Sequence, residues 1–254
     1  MQISFRSCLG PFLLLIGMTN SLVFAGELNA AVESSLAVPM EQIVALYQKA
    51  SGNTVKVSLS SNAKLYNQIK SGASFDVLLS ADELMPKRLV QEGFAIGGSR
   101  IVFATDKLVL WSLLPGFVDA KGAVLNKGNF NKLAIADPKL SSYGLASKET
   151  LEKLVMWNSI QEKLVKGESI NRAYQLAATE NADLAFVGLS QIMREGKISE
   201  GSWWVVPPEV HGPLSQSAMM LSNSKNVAEA KEFLDFLKSK KVEAVIHNLG
   251  YELP

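Results

Sequence analysis

Residues 54–69, Thr54-Val55-Lys56-Val57-Ser58-Leu59-Ser60-Ser61-Asn62-Ala63-Lys64-Leu65-Tyr66-Asn67-Gln68-Ile69, change their hydrophobic period part-way through. Val55, Val57 and Leu59 alternate as one face of a strand does, whereas Leu65 and Ile69 stand four apart, as on one face of a helix. The join is a small polar turn, Ser60-Ser61-Asn62. The same device recurs at Ser34-Ser35, at Ser141-Ser142-Tyr143-Gly144 and, less cleanly, at Glu168-Ser169-Ile170. The first turn of a helix has backbone N–H groups without intrahelical acceptors, and the macrodipole adds roughly half a positive charge there. Such turns seat anions. Taken singly, each is equally a helix cap, since Ser and Asn are ordinary N-cap residues. Several together, with no catalytic motif beside them, point to a protein that holds an oxyanion rather than transforms one.

Working outward, short strand-like runs alternate with helical patterns along the whole chain. Strands are expected at 28–32, 54–59, 76–79, 108–111, 133–136, 184–187, 203–206 and 218–221, with amphipathic helices between them and a last helical stretch from Val227 onward. This order predicts a doubly wound α/β architecture, in which ligands bind beyond the carboxyl ends of the strands. All four turns lie at such ends. The stretches 103–107 and 210–215 read as crossings between two lobes. They divide the chain into a first lobe of residues 26–104 plus 214–254 and a second of residues 105–213.

Residues 1–25 read as a cleavable signal peptide: Arg6, an apolar stretch over residues 9–17, then Val23-Phe24-Ala25 as a cleavage site. Export follows, to a periplasm or to a cell surface. The apolar stretch is shorter than the roughly 20 residues that span a bilayer. The one cysteine, Cys8, lies in this segment, so the mature chain has no thiol for a disulfide, a metal or nucleophilic catalysis. Without Arg6 the basic residues equal the 24 acidic ones. A near-neutral chain argues against nucleic acid or an anionic membrane as a partner. His211 and His247 are the only histidines, and no GxSxG, HExxH or P-loop is present. An exported hydrolase is therefore the weaker alternative.

Several stretches resemble the periplasmic molybdate-binding proteins that feed molybdate ABC transporters. They are Ala30-Ala31-Val32-Glu33-Ser34-Ser35-Leu36 with Pro39-Met40, Ser60-Ser61 with Leu65-Tyr66-Asn67-Gln68-Ile69, and Phe75-Asp76-Val77-Leu78-Leu79-Ser80-Ala81-Asp82. Further along come Lys107-Leu108-Val109-Leu110-Trp111-Ser112, residues 133–138 with Tyr143-Gly144, Ala185-Phe186-Val187-Gly188-Leu189-Ser190-Gln191, and the terminal Leu249-Gly250-Tyr251-Glu252-Leu253-Pro254. They follow the family order to the last residue. The resemblance implies a two-lobed periplasmic binding protein fold, a type II-like clamshell with a mostly parallel, helix-flanked sheet in each lobe. It implies a molybdate or tungstate ligand, a membrane permease as partner, a monomer, no cofactor and no catalysis.

Carried over by position, the resemblance gives the oxyanion Ser34 and Ser35, Ser61 with Asn62 or Ser60 beside it, and the backbone at Tyr143 and Ile170. Many members add a tyrosine hydroxyl where this chain has Gly188, so that contact is expected to be missing. Sulfate, thiosulfate or a carboxylate-held metal ion are the other ligands such a fold takes. Molybdate is fully deprotonated near neutral pH and accepts hydrogen bonds only, which suits a site of N–H and hydroxyl donors. Glu33 is out of place there, because the family usually has a small apolar residue and a carboxylate repels a dianion. Strand alternation would place Glu33 on the face opposite Ser34, in solvent; otherwise its carboxyl accepts a proton from a protonated oxyanion or bonds to the metal of the anion. Lys64 is expected to be solvated, and Trp203-Trp204 to pack at a lobe edge or in the core.

Overall fold

The computed structural model describes residues 26–254; the expected signal peptide lies outside them. From the amino end the chain forms β1 (Glu27–Glu33), a one-turn 3-10 helix (Ser34–Leu36), α1 (Ala37–Ser51), β2 (Thr54–Ser60), α2 (Asn62–Lys70), β3 (Val77–Ser80), α3 (Leu84–Gln91) and β4 (Ile101–Asp106). It then crosses to a second sheet. There it forms β5 (Leu108–Ser112), α4 (Ala123–Lys127), β6 (Leu133–Ala136), α5 (Ser142–Lys153), β7 (Leu164–Gly167), α6 (Ile170–Ala178) and β8 (Leu184–Gly188). A short α7 (Leu189–Ile192), the hairpin of β9 (Met193–Arg194) with β10 (Lys197–Ile198), and β11 (Ser202–Val205) follow. β12 (Leu214–Met220), α8 (Val227–Phe236) and α9 (Lys240–Asn248) return to the first sheet.

The first sheet runs β2-β1-β3-β12-β4 and the second β11-β5-β8-β6-β7. β2, β1 and β3 are parallel, as are β8, β6 and β7. The antiparallel strands β12 and β5 are those entered when the chain passes from one sheet to the other. This is the two-lobed clamshell, with one sheet at the heart of each lobe.

Alternation along β1 builds the first lobe. Leu28, Ala30 and Val32 face α1, α8 and α9, packing with Ile43, Tyr47, Phe233 and Ile246, while Ala31 faces Leu65, Ile69 and Leu89 of α2 and α3. Helices therefore cover both faces, as the doubly wound pattern requires. In the second lobe Trp111 is buried and stacks on Tyr174 of α6 with ring centroids 5.3 Å apart. Trp203 and Trp204 lie on the edge strand β11; Trp204 packs on the core and Trp203 is exposed. Four strands escape the sequence reading, the two-residue strands β9 and β10 of the hairpin among them. β4 occupies what reads as a crossing, and β7 is a short edge strand with only Gly167 buried.

Candidate functional site

Register brings the four turns together in pairs. In the first lobe Glu33 pairs with Ser60, so the turn after β1 lies beside the turn after β2. In the second, Ala136 pairs with Gly167, so the start of α5 lies beside the start of α6. The two pairs face each other across the lobe boundary. Asn171 Nδ2 donates to the Ser34 carbonyl (2.8 Å), Ser142 Oγ donates to the Ala81 carbonyl (2.8 Å), and Lys64 Nζ pairs with Glu168 Oε2 (3.0 Å). The lobes are closed on one another at these points.

Each expected residue has a definite place. Ser61 is the N-cap of α2, its Oγ accepting from Lys64 N at 3.4 Å, and Ser60 is half-buried beside it. Asn62 is buried, donating to Asp82 Oδ2 and accepting from Ser80 Oγ at 3.1 Å. Tyr143 is in the first turn of α5, whose N-cap Ser141 makes no side-chain capping bond, and Ile170 opens α6. The backbone N–H groups at these two positions have no intrahelical acceptor. The Tyr143 ring points away into the hinge, its hydroxyl donating to Asp106 Oδ2 at 2.7 Å. A Cβ at Gly188 would stand 2.5 Å from Asp106 Oδ2 and 3.0 Å from Tyr143 Cε1. Tyr143 and Asp106 thus fill the space that a larger residue at 188 would need.

Hollows lie between the lobes. Ser34 and Ser35 line one of about 130 Å³ with Asn171, Ser190, Gln191 and Arg194. Asn62 lines an open groove of about 800 Å³ with Asp82, Ser141 and Ser142. Ser60, Ser61, Tyr143, Ile170 and Gly188 wall neither. The structure thus groups Ser34 with Ser35 in one hollow, and Asn62 with the start of α5 in the other.

The expectation for Glu33 is corrected. It is buried, and its carboxylate accepts from Ser34 Oγ (3.0 Å), Ser35 N (2.8 Å) and Ser35 Oγ. The cause is local: β1 ends at Glu33, which becomes the N-cap of the 3-10 turn, and an N-cap side chain folds back on the following N–H groups. Burial pushes the Glu33 carboxyl above its ordinary value; the bonds from Ser35 and Ser34 oppose this, and Asp82 reinforces it. Burial likewise raises Asp82 and Asp106. Asn171 and Asp106 are given no role by the sequence reading, and Gln191 enters it only within a stretch of resemblance. Gln191 Nε2 holds Asn171 Oδ1 at 2.7 Å, a pairing between α6 and α7 that no local pattern announces.

Comparison with known proteins identifies the family and agrees with the fold. The family profile of the bacterial extracellular solute-binding proteins matches residues 28–252. The molybdate-binding protein ModA of Azotobacter vinelandii is 42% identical over 229 residues, covering 90% of this chain and 91% of that protein. The chain belongs to this solute-binding family. ModA of Rhodobacter capsulatus is 43% identical over 228 residues, 89% of this chain and 88% of that one. The solved structure of the periplasmic molybdate-binding protein of Azotobacter vinelandii superposes with a TM-score of 0.87 at 35% identity, covering 89% of this chain and 99% of that one. Members of that family are extracellular solute-binding proteins, and this chain has their two-lobed fold.

Proposed function

We propose that this chain captures molybdate, and tungstate with it, in the periplasm and presents it to the permease of an ABC transporter. The observation that carries the reading is the level of identity to two molybdate-binding proteins over nine-tenths of the chain. The geometry supports it. Helix-starting turns of both lobes face one another, so an anion between them gains donors from each and favours the closed form by its differential affinity. The moving bodies are residues 26–104 with 214–254, and residues 105–213.

In this reading Ser34, Ser35, Ser61 and Asn62 supply donors from the first lobe, and the N–H groups at Tyr143 and Ile170 from the second. The oxygens of the anion, not its metal atom, meet them. Ser34 and Ser35 must turn their hydroxyls from Glu33 to the ligand. A charge-assisted hydrogen bond contributes roughly 1.5–3 kcal/mol, so a handful hold the anion without a buried cation. The chain acts by binding alone, as a monomer, and without a cofactor.

Isothermal titration of the mature protein with sodium molybdate is the test. One anion bound per chain, with sulfate far weaker, is the expected result; a silent titration at micromolar protein, or a stronger response to sulfate, overturns the reading.

A further inference from the structure

The donors expected to hold the anion already hold a carboxylate. Ser34 Oγ, Ser35 N and Ser35 Oγ all converge on Glu33, which is 3% exposed. A helix cap alone does not call for this residue, because Ser, Thr, Asp and Asn cap best and burying an ionised group is costly. Glu33 is thus an acceptor set among donors, on the wall that an oxyanion is expected to touch.

Little around it neutralises the charge. Asp82, in the turn after β3, acts on Glu33 with the same sign, and Tyr143 of α5 and Tyr251 near the carboxyl end feel its charge. Lys64, beside the cleft, pairs with Glu168, and Arg194 donates to the carbonyls of Ser190 (3.2 Å) and Met193 (2.7 Å). Lys87, Arg88 and Lys139 line the larger groove, where Lys87 pairs with Glu83 and Arg88 with Glu92, and among the described residues no ion pair reaches Glu33. A dianion brought against an ionised Glu33 would meet repulsion and find its donors taken. A single proton removes both obstacles, since a neutral carboxyl releases the serine donors and itself donates to an oxyanion oxygen.

We infer that each oxyanion dianion is bound at this site together with one proton, held on the Glu33 carboxyl and donated to the ligand in a hydrogen bond. The inference rests on the proposed molybdate reading. The proton comes from solvent, so one positive charge enters with two negative ones. Affinity then falls by about tenfold per pH unit once Glu33 is ionised in the unliganded protein.

The experiment is molybdate titration calorimetry from pH 6.5 to 8.5 in pairs of buffers of unlike ionisation enthalpy, which counts the protons. Wild type is expected to take up about one proton per anion on the alkaline side, and Glu33→Gln none, with affinity nearly independent of pH. Glu33→Ser, a good cap in its own right, gives the same answer if the glutamine variant folds poorly. Molybdate binding without proton uptake in wild type, or with uptake retained in both variants, overturns the role of Glu33 and leaves the molybdate reading standing. No binding by wild type or either variant at any pH overturns both.

Discussion

Lys64 Nζ, in the first turn of α2, lies 3.0 Å from Glu168 Oε2, directly after β7 in the other lobe. The pair exists only while the lobes are together, so it acts on closure and not on the folding of either lobe. Both side chains are well exposed, 61% and 65%, and such a pair is worth at most about 1 kcal/mol. Lys64→Ala or Glu168→Ala is therefore expected to weaken molybdate binding by no more than about fivefold at low salt, the affinity equivalent of that energy. Screening at 1 M salt, where the Debye length is about 3 Å, removes most of the difference. A larger loss that persists in salt would show that Lys64 meets the anion directly.

At position 188 a methyl group is already too much. The Cβ of Gly188→Ala would press on Asp106 Oδ2 at 2.5 Å and on the Tyr143 ring at 3.0 Å, both fully enclosed. Overpacking of this kind costs about 1–3 kcal/mol. The expected outcome is a lowered thermal midpoint, read by calorimetry, and weaker molybdate binding because the start of α5 shifts with Tyr143.

The hydroxyl of Tyr143 is a hinge group rather than a ligand contact. Tyr143→Phe leaves the buried Asp106 with Ser190 Oγ at 2.7 Å and the N–H groups of Lys107 and Ser190. Losing a hydrogen bond to a charged acceptor costs about 1.5–3 kcal/mol. Denaturant unfolding is expected to show that loss, while molybdate affinity per folded molecule changes little, because the backbone N–H at 143 remains. A large fall in affinity at unchanged stability would place the phenol on the ligand.

Much of this was legible in the residues. The run 28–32 reads as a strand and forms β1, and the spacing of Leu65 and Ile69 marks the helix that packs on the first sheet. β4 was not legible because its residues are buried on both faces in an irregular pattern, and β7 because an edge strand keeps little apolar signal. The direction of Glu33 was lost for a different reason. Alternation assigns a side only while the strand continues, and β1 stops at Glu33, whose side chain turns back to Ser35 N. The pairing of Tyr143 with Asp106 joins residues 37 apart through the fold alone.

Three carboxyls raised by burial shape the response to pH. The folded-state values of Glu33, Asp82 and Asp106 are all raised, chiefly by burial, above ordinary values of 4.5, 3.8 and 3.8. A raised acid is favoured protonated in the native state, so the unfolded chain holds fewer protons between the two values, and stability falls as pH rises through that window. The thermal midpoint of the ligand-free protein is expected to be highest in mild acid and to decline from about pH 4.5 upward, on the Glu33 value. Glu33→Gln is expected to flatten part of the decline. A midpoint that climbs steadily with pH over that range would mean these groups are ionised in the native state at little cost.

Asn171 separates closure from folding most directly. Its Nδ2 donates to the Ser34 carbonyl at 2.8 Å across the lobe boundary, while its Oδ1 accepts from Gln191 Nε2 at 2.7 Å within the second lobe. The first bond is broken whenever the lobes part; the second holds the amide ready to re-form it. Asn171→Ala removes a closed-state bond of about 1 kcal/mol and leaves Gln191 near the hollow, free to take water instead. Affinity for molybdate is expected to fall by about fivefold, mostly through faster release, since effects of interface changes appear chiefly in dissociation rates. The thermal midpoint without ligand should move little, because the open form makes no use of the bond. Asn171→Asp tests the donor itself: a carboxylate there faces the Ser34 carbonyl with no hydrogen to offer, so it should release molybdate faster than the alanine variant does. If both variants bind as wild type does, the contact between Asn171 and Ser34 has no part in holding the lobes closed.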